Sequence, residues 1–381
     1  MTGPAMTVPA PEAQRALAAH YYTDAEAWRA DRALILNTWQ LVGHDAQMPA
    51  PGDFITADLF DQSFFVIRDD DGGLRAYANV CPHRGHQLVK GCGNKSRISC
   101  PYHAWTFARD GRLIGLQRTP SSVTPTRADV RLFDVPVATL AGFVLINPSG
   151  KAPPLATFAP GLAQQIDAAC PELARYVIED GPALGHSYDC AANWKVLIDN
   201  YLECHHCGVA HASFDDMMDI KASRFELWPH FTRQIAPTAG KSETAAFALN
   251  LAHDVTVGHF WWLFPNTVLG QFPGVPGFYA SRFDPVSEGQ TKRRSWSLTT
   301  PVATDPDMAR RAQARSDWSV QIVSQEDRAL CESVQIGLQH QAFRQGWYVT
   351  DPQAHGLSEH AMQHFHTLYL SALEAQPCIS P

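Results

Sequence analysis

Two groups of metal-ligating residues, lying about a hundred residues apart, constrain this chain more than any other feature. The first reads Cys81-Pro-His83-Arg-Gly and then Cys100-Pro-Tyr-His103-Ala-Trp105, a C-x-H pair followed by a C-x2-H pair. The second reads Glu203-Cys-His-His206-Cys-Gly-Val-Ala-His211, a carboxylate and an H-x4-H pair. Either group alone is ambiguous. Together they require a fold that presents one metal group from paired loops and builds a second, separate centre.

The chain can supply two such scaffolds. Its 381 residues are enough for two domains with real cores. Hydrophobic residues at 45% and charged residues at 18% describe a globular enzyme. A net charge of -8 argues against nucleic acid or an anionic membrane as the main partner. No apolar run reaches bilayer length, and the opening MTGPAMTVPAPEAQ has neither the basic nor the apolar region of a secretory signal. Nine irregularly placed cysteines fit reduced thiols and metal ligands better than a disulfide framework. A cytoplasmic protein is expected.

Residues 1–40 read as a Pro/Ala-rich tail, disordered over 1–13, leading into a helix over 24–40. Residues 41–155 read as an all-β domain. Short β-branched or alternating runs begin at Phe54, Ser63, Leu74 and Gly142, with Asp/Gly turns between them. The Pro/Gly stretch 148–160 reads as an exit linker. Residues 156–381 read as an α+β domain, an antiparallel sheet flanked by helices, with strands near 259–264 and 292–298 and helices over 306–333 and 357–374.

Cys81, His83, Cys100 and His103 can hold zinc or a [2Fe–2S] cluster. Zinc sites commonly pair like ligands, whereas each pair here mixes Cys with His. In a Rieske centre two Cys hold one iron and two His the other, so each loop supplies one ligand to each iron. Pro82 and Pro101 stiffen the loops, and Gly85 and Gly91 permit turns that point amides at sulfur. His86 and Cys92 match no ligand position.

From Asn193 the apolar positions Val196, Leu197, Tyr201 and Leu202 give a helix with one apolar face. On a regular helix His206 and His211 would lie about 140° apart. The helix must therefore break between them, and Gly208 suits the break. Two imidazoles and one carboxylate form the facial triad of non-haem Fe(II) oxygenases. The carboxylate must come from elsewhere; Asp327, Glu326 and Glu332 are candidates that spacing does not separate. Cys204 and Cys207 read as buried thiols, and His360, His364 and His366 as a pattern without an acidic or Cys partner.

The text C-P-H-R-G with C-P-Y-H-A-W-T-F, followed by the iron motif, resembles the catalytic α-subunit of Rieske non-haem iron oxygenases over nearly the whole chain. The resemblance implies Asp327 as third ligand, since the family places its aspartate in an acidic pair at this point. His205 stands where relatives often carry Tyr. The resemblance also implies a head-to-tail homotrimer in which a carboxylate bridges His103 of one subunit to His206 of the next. Glu203 matches that acid, with Asp199 the runner-up. No Rossmann, flavin or plant-type ferredoxin motif is present, so electrons from NAD(P)H must come through a separate flavin/iron–sulfur reductase.

Within the family, D-N-Y-L-E-C-H-H-C-G-V-A-H, F-W-W-L-F-P-N and E-D-R-A-L-C-E-S-V-Q-I-G-L resemble the quaternary-ammonium branch, the carnitine and glycine betaine monooxygenases. That implies O₂-dependent hydroxylation of a carbon next to nitrogen, then C–N cleavage or N-demethylation. A cationic head would sit on aromatic faces, for which Trp261, Trp262, Phe264, Phe272 and Tyr279 are candidates. Arg224, Arg233 and Arg282 are candidates for a substrate carboxylate. The alternatives are an aromatic-acid ring hydroxylase or aryl ether O-demethylase of the same family, and a non-catalytic electron carrier.

Overall fold

The computed structural model describes residues 5–6, 14–117, 127–178, 186–301, 305–351, 353 and 355–375. Most of the expected tail over 1–13 lies outside the described residues. The chain forms two compact units, one over Leu36–Leu155 and the other from the chain before and after it.

The inner unit is built from antiparallel strands. Asp53–Leu59 pairs with Gln62–Arg68, which pairs with Leu74–Ala78, and two short strands complete a five-stranded sheet. Gln40–His44, Val137–Leu140 and Phe143–Ile146 form a second sheet. Ile98–Ser99, Trp105–Phe107 and Leu113–Leu116 form a third. The run Phe64-Phe-Val-Ile67 shows how sequence drives this arrangement. Strand alternation sends Phe65 and Ile67 into one buried cluster and Phe64 and Val66 into another. Each such side chain contributes about 1.5–3 kcal/mol by burial. The first cluster also contains Cys81, Cys100 and Trp105, so the ligand loops are fastened to a rigid core.

The other unit is organised on an eight-stranded sheet. Its antiparallel path runs from Val177–Ile178 through Gln290–Thr299, Gly277–Ser287, Thr267–Gln271, Val257–Leu263 and Phe231–Pro237 to Arg224–Trp228. His186–Cys190 also pairs with Gln290–Thr299. The helix Trp194–Tyr201 starts where the Asn193 side chain accepts from the Lys195 amide at 3.0 Å, satisfying one of the four free amides of a helix start. A buried carboxylate locks this helix to its neighbours. Asp31, on Ala25–Leu36, accepts from Trp194 Nε1 at 2.9 Å, from Tyr369 on His360–Glu374 at 2.8 Å, and from Lys195.

Two expectations are refined. The stretch 148–160 contains a helical turn, Leu155–Phe158, because Leu155 and Phe158 have apolar surface to bury. The helix expected over 306–333 runs as Pro306–Asp317, a π-helical segment Trp318–Val323, and Ser324–Leu338. A π-segment inside a helix frequently marks a functional site.

Candidate active site

The structure brings Cys81, His83, Cys100 and His103 to one end of the inner unit. Both sulfurs belong to buried residues. The His83 and His103 rings lie 4.6 Å apart, and His83 stacks on Trp105 at 4.5 Å. Tight turns form each loop: Gly85 N donates to Cys81 O at 2.9 Å and Ala104 N to Cys100 O at 3.0 Å. Gly85 has φ +71° and Ala104 +55°, backbone positions that side chains rarely adopt. Burial pushes the Cys81 thiol up, while the amides of His83 and Arg84, directed at its sulfur, oppose that rise. The Nδ1 atoms of both histidines are buried without a hydrogen-bond partner. An orphaned buried nitrogen is costly, and two of them beside two buried thiols are the donor set of a histidine-and-cysteine cluster.

In the other unit His206, His211 and Asp327 offer ligand atoms that all lie within 4.8 Å of one another, the one such group among the described residues. Asp327 Oδ1 lies 2.9 Å from His211 Nε2 and 3.6 Å from His206 Nε2. Both Nε2 atoms thus face the carboxylate, and each Nδ1 faces another acid behind it. Glu203 Oε1 meets His206 Nδ1, and Glu326 Oε2 lies 2.8 Å from His211 Nδ1. This is the carboxylate–histidine arrangement that fixes the tautomer and orientation of a metal ligand.

The break that permits this geometry is not at Gly208. The helix ends at Tyr201, and a turn over 202–206 carries His206 to the start of the short helix Cys207–Ala210. His211, with φ −120°, is the joint to Ala212–Met217. Gly208 lies inside the short helix. Cys204 and Cys207 are not free thiols: a disulfide joins them across this turn.

The carboxylates around the two imidazoles set their protonation. Burial pulls the His206 imidazole down, but the carboxylates of Asp327 and Glu203 outweigh it and raise it to about 9. His211 is raised by Asp327 and Glu326 against the same opposing burial. Burial pushes Asp327 up, yet the two imidazoles hold it down at about 2.

The other sequence candidates separate cleanly. Asp199 does not touch His206; it accepts from Tyr22 at 2.6 Å and meets His366 Nε2 at 2.7 Å. Glu326 stands behind His211, and Glu332 accepts from the Ala191 amide and Arg328. Of the C-terminal histidines, His364 meets the Trp228 carbonyl at 2.8 Å, His366 joins Asp199, Tyr22 and Tyr348, and His360 packs on Phe225.

A cavity opens on the triad. Phe272 and Tyr279 line it, as do Phe214, Phe260 and Phe278. Trp261, Trp262 and Phe264 do not. Trp261 is fully buried with its indole on Gln165, Trp262 is fully buried against Phe365, and Phe264 packs on Trp262. Large apolar side chains in a central strand are core first, and alternation gives only some of them to the cavity. The three arginines weighed for a substrate carboxylate also lie elsewhere: Arg224 pairs with Glu226, Arg233 with His259, and Arg282 with Asp284. Sequence reasoning missed Asn200, whose amide lies 3.3 Å from His206 Nε2, and the cavity-lining Tyr188, Arg293, Ser295 and Ser297. The last three had a signal: polar residues every second position in a strand whose intervening Trp296 and Leu298 are buried.

A β unit with a His/Cys cluster cradle, joined to a sheet unit with a two-histidine, one-carboxylate centre, defines a Rieske-type oxygenase. The comparisons agree. Residues 38–135 match the Rieske [2Fe-2S] domain, and residues 181–375 match the ring hydroxylating alpha subunit catalytic domain. The chain is 31% identical over 361 residues to the carnitine monooxygenase oxygenase subunit of Escherichia coli (strain K12), covering 94% of each. It is 28% identical over 362 residues to the chloroplastic choline monooxygenase of Arabidopsis thaliana, covering 91% of this chain and 80% of that one. The solved structure of CntA, a quaternary ammonium Rieske monooxygenase with its substrate L-carnitine, superposes with a TM-score of 0.80 at 28% identity, covering 97% of this chain and 100% of that one. The chain belongs to the Rieske oxygenase alpha-subunit family. Members carry a [2Fe–2S] Rieske cluster and a mononuclear iron and take electrons from a reductase.

Proposed function

We propose that the chain is the terminal oxygenase for a quaternary ammonium compound. The observation that carries this is the convergence of His206, His211 and Asp327 on a cavity walled by Phe214, Phe260, Phe272, Phe278 and Tyr279. Cys81, His83, Cys100 and His103 would hold the cluster, and His206, His211 and Asp327 the iron. When bound, the two groups supply stored electrons and activation of O₂.

The chain's own residues do the rest. Glu203 and Glu326 hold the two imidazoles with Nε2 forward. The aromatic walls present π faces to a trimethylammonium head, worth about 0.5–1 kcal/mol at exposed sites and about 2 kcal/mol where the head is desolvated. A C–H bond next to nitrogen is thereby held toward the triad. Replacing that hydrogen by hydroxyl, with two electrons and two protons reducing the second oxygen atom of O₂ to water, gives a carbinolamine. The C–N bond then breaks, the hydroxyl proton passes to nitrogen, and an aldehyde and an amine leave.

Glu203, on the outer side of His206, is the acid proposed to meet His103 of a neighbouring subunit in a homotrimer. Asp199, committed to Tyr22 and His366, is placed behind it. The domain limits proposed are 41–155 for the cluster and 156–381 for catalysis, with 1–40 accompanying the latter. The electron donor proposed is a flavin/iron–sulfur reductase oxidising NAD(P)H, in the cytoplasm. Among the described residues no helix is long and apolar enough to cross a membrane.

A panel of carnitine, glycine betaine, choline, benzoate and an aryl methyl ether, assayed with O₂ and a reductase, tests this function. Release of an amine from a trimethylammonium compound is expected. Oxidation of only the aromatic compounds would replace it with the ring-hydroxylase or O-demethylase function.

A further inference from the structure

Strand Gln290–Thr299 places Arg293, Ser295 and Ser297 on one face, and all three line the cavity shared with the iron triad. Arg293 is opposite Phe283 on one neighbouring strand and Tyr188 on the other. Its hydrogen bonds go to neutral hydroxyls: Nε donates to Ser281 at 3.2 Å, and Nη1 to Ser324 at 3.3 Å and Tyr188 at 3.5 Å. Its neighbours Arg282 and Arg294 differ in this respect, since both pair with Asp284. Asp327 acts on Arg293 through space without an ion pair between them, and its Oδ1 faces the two imidazoles.

A guanidinium held by hydroxyls in a partly desolvated cavity retains an unmet preference for an anion. The same cavity offers aromatic faces to a cation. One ligand chemistry answers both, a zwitterion. We propose that Arg293 binds an anionic group of the substrate, so that this chain selects trimethylammonium carboxylates over the uncharged alcohols of equal length. This rests on the quaternary-ammonium function proposed above and narrows it: of the relatives' substrates, carnitine-like compounds fit and choline-like ones do not.

The test compares γ-butyrobetaine with the trimethylammonium alcohol of the same chain length. Wild-type, Arg293→Lys and Arg293→Gln holoenzymes are titrated anaerobically by calorimetry, and kcat and KM are measured separately with O₂ and a reductase. Wild type is expected to bind the carboxylate about 10- to 100-fold more tightly. Arg293→Gln should bring that ratio near one, through Kd and KM more than kcat, and Arg293→Lys should retain part of it. If Arg293→Gln does not fold, the wild-type preference and its reduction in Arg293→Lys decide alone. A wild-type enzyme that binds both compounds equally, or a ratio unchanged by both variants, overturns the proposal while leaving the quaternary-ammonium function standing. Binding of neither compound by wild type overturns both.

Discussion

Loading the mononuclear site should release protons, and the structure sets the size of the effect. In the metal-free protein burial lowers the His206 imidazole, but Asp327 and Glu203 raise it to about 9. At pH 7, about two units below, roughly 99% of His206 carries a proton. A ligand imidazole must be neutral. Removing that proton at pH 7 costs about 2.7 kcal/mol, and because half of His206 is still protonated at pH 9, Fe(II) binds about 50-fold more weakly at pH 7 than at pH 9. His211, also raised, adds to the effect in the same direction. Anaerobic calorimetry of Fe(II) binding at pH 7, in two buffers of unlike ionisation enthalpy, counts the protons directly. About one or more per site is expected, with affinity rising about tenfold per pH unit up to about 8 and less steeply above it. Glu203→Gln removes one of the two charges that retain the proton, and should reduce the proton count at pH 7. Affinity independent of pH between 6.5 and 8.5, with no proton release, would mean that His206 and His211 are neutral before iron binds.

Four further outcomes follow from the same contacts. Because the folded-state value of His206 is raised, its contribution to metal-free stability is complete below about pH 6.5 and lost as pH rises through about 9; denaturant titration of iron-free protein should show a fall of up to about 3 kcal/mol over that window. Asp327→Ala should remove the mononuclear iron while sparing the cluster, so iron falls from about three to about two per chain with the Rieske EPR signal retained. Trp261→Ala, at a fully buried side chain, should cost about 3–5 kcal/mol of stability, whereas Phe272→Leu should act mainly on the KM for a trimethylammonium substrate. Lys195→Ala strands the buried Asp31 carboxylate and should cost about 3–5 kcal/mol in chemical denaturation.

The grouping of the proposed ligands is readable in the sequence because metal chemistry tolerates few donors and needs them in short, fixed spacings. C-x-H and C-x2-H require two turns, and strand periodicity around Phe64–Ile67 located the scaffold for them. The H-x4-H spacing correctly demanded a helix break, but not its place. Gly208 was the local candidate, whereas tertiary packing ended the helix at Tyr201 and left Gly208 helical. Asp327 could not be separated from Glu326 by sequence pattern alone. Their difference is one of direction: adjacent acids on one helix reach Nε2 and Nδ1 of the same His211 ring. The aromatic candidates failed where hydrophobicity alone was the signal. Trp261, Trp262 and Phe264 serve the core, whereas Phe272, just past the strand Thr267–Gln271, stacks on Tyr279 at 5.4 Å and both line the cavity. Asn200 and Arg293 needed contacts distant in sequence, which no local pattern records.

A single-turnover experiment shows whether the cluster and the His206–His211–Asp327 centre together oxidise a trimethylammonium compound. Iron-loaded protein is reduced chemically, freed of reductant, and exposed to ¹⁸O₂ with γ-butyrobetaine and no reductase. Amine and aldehyde are expected in near-stoichiometric amount to the active sites, with cluster oxidation seen by EPR and no product from Asp327→Ala. Oxidation of the cluster without product, across carnitine-, betaine- and choline-type substrates alike, would contradict the proposed function.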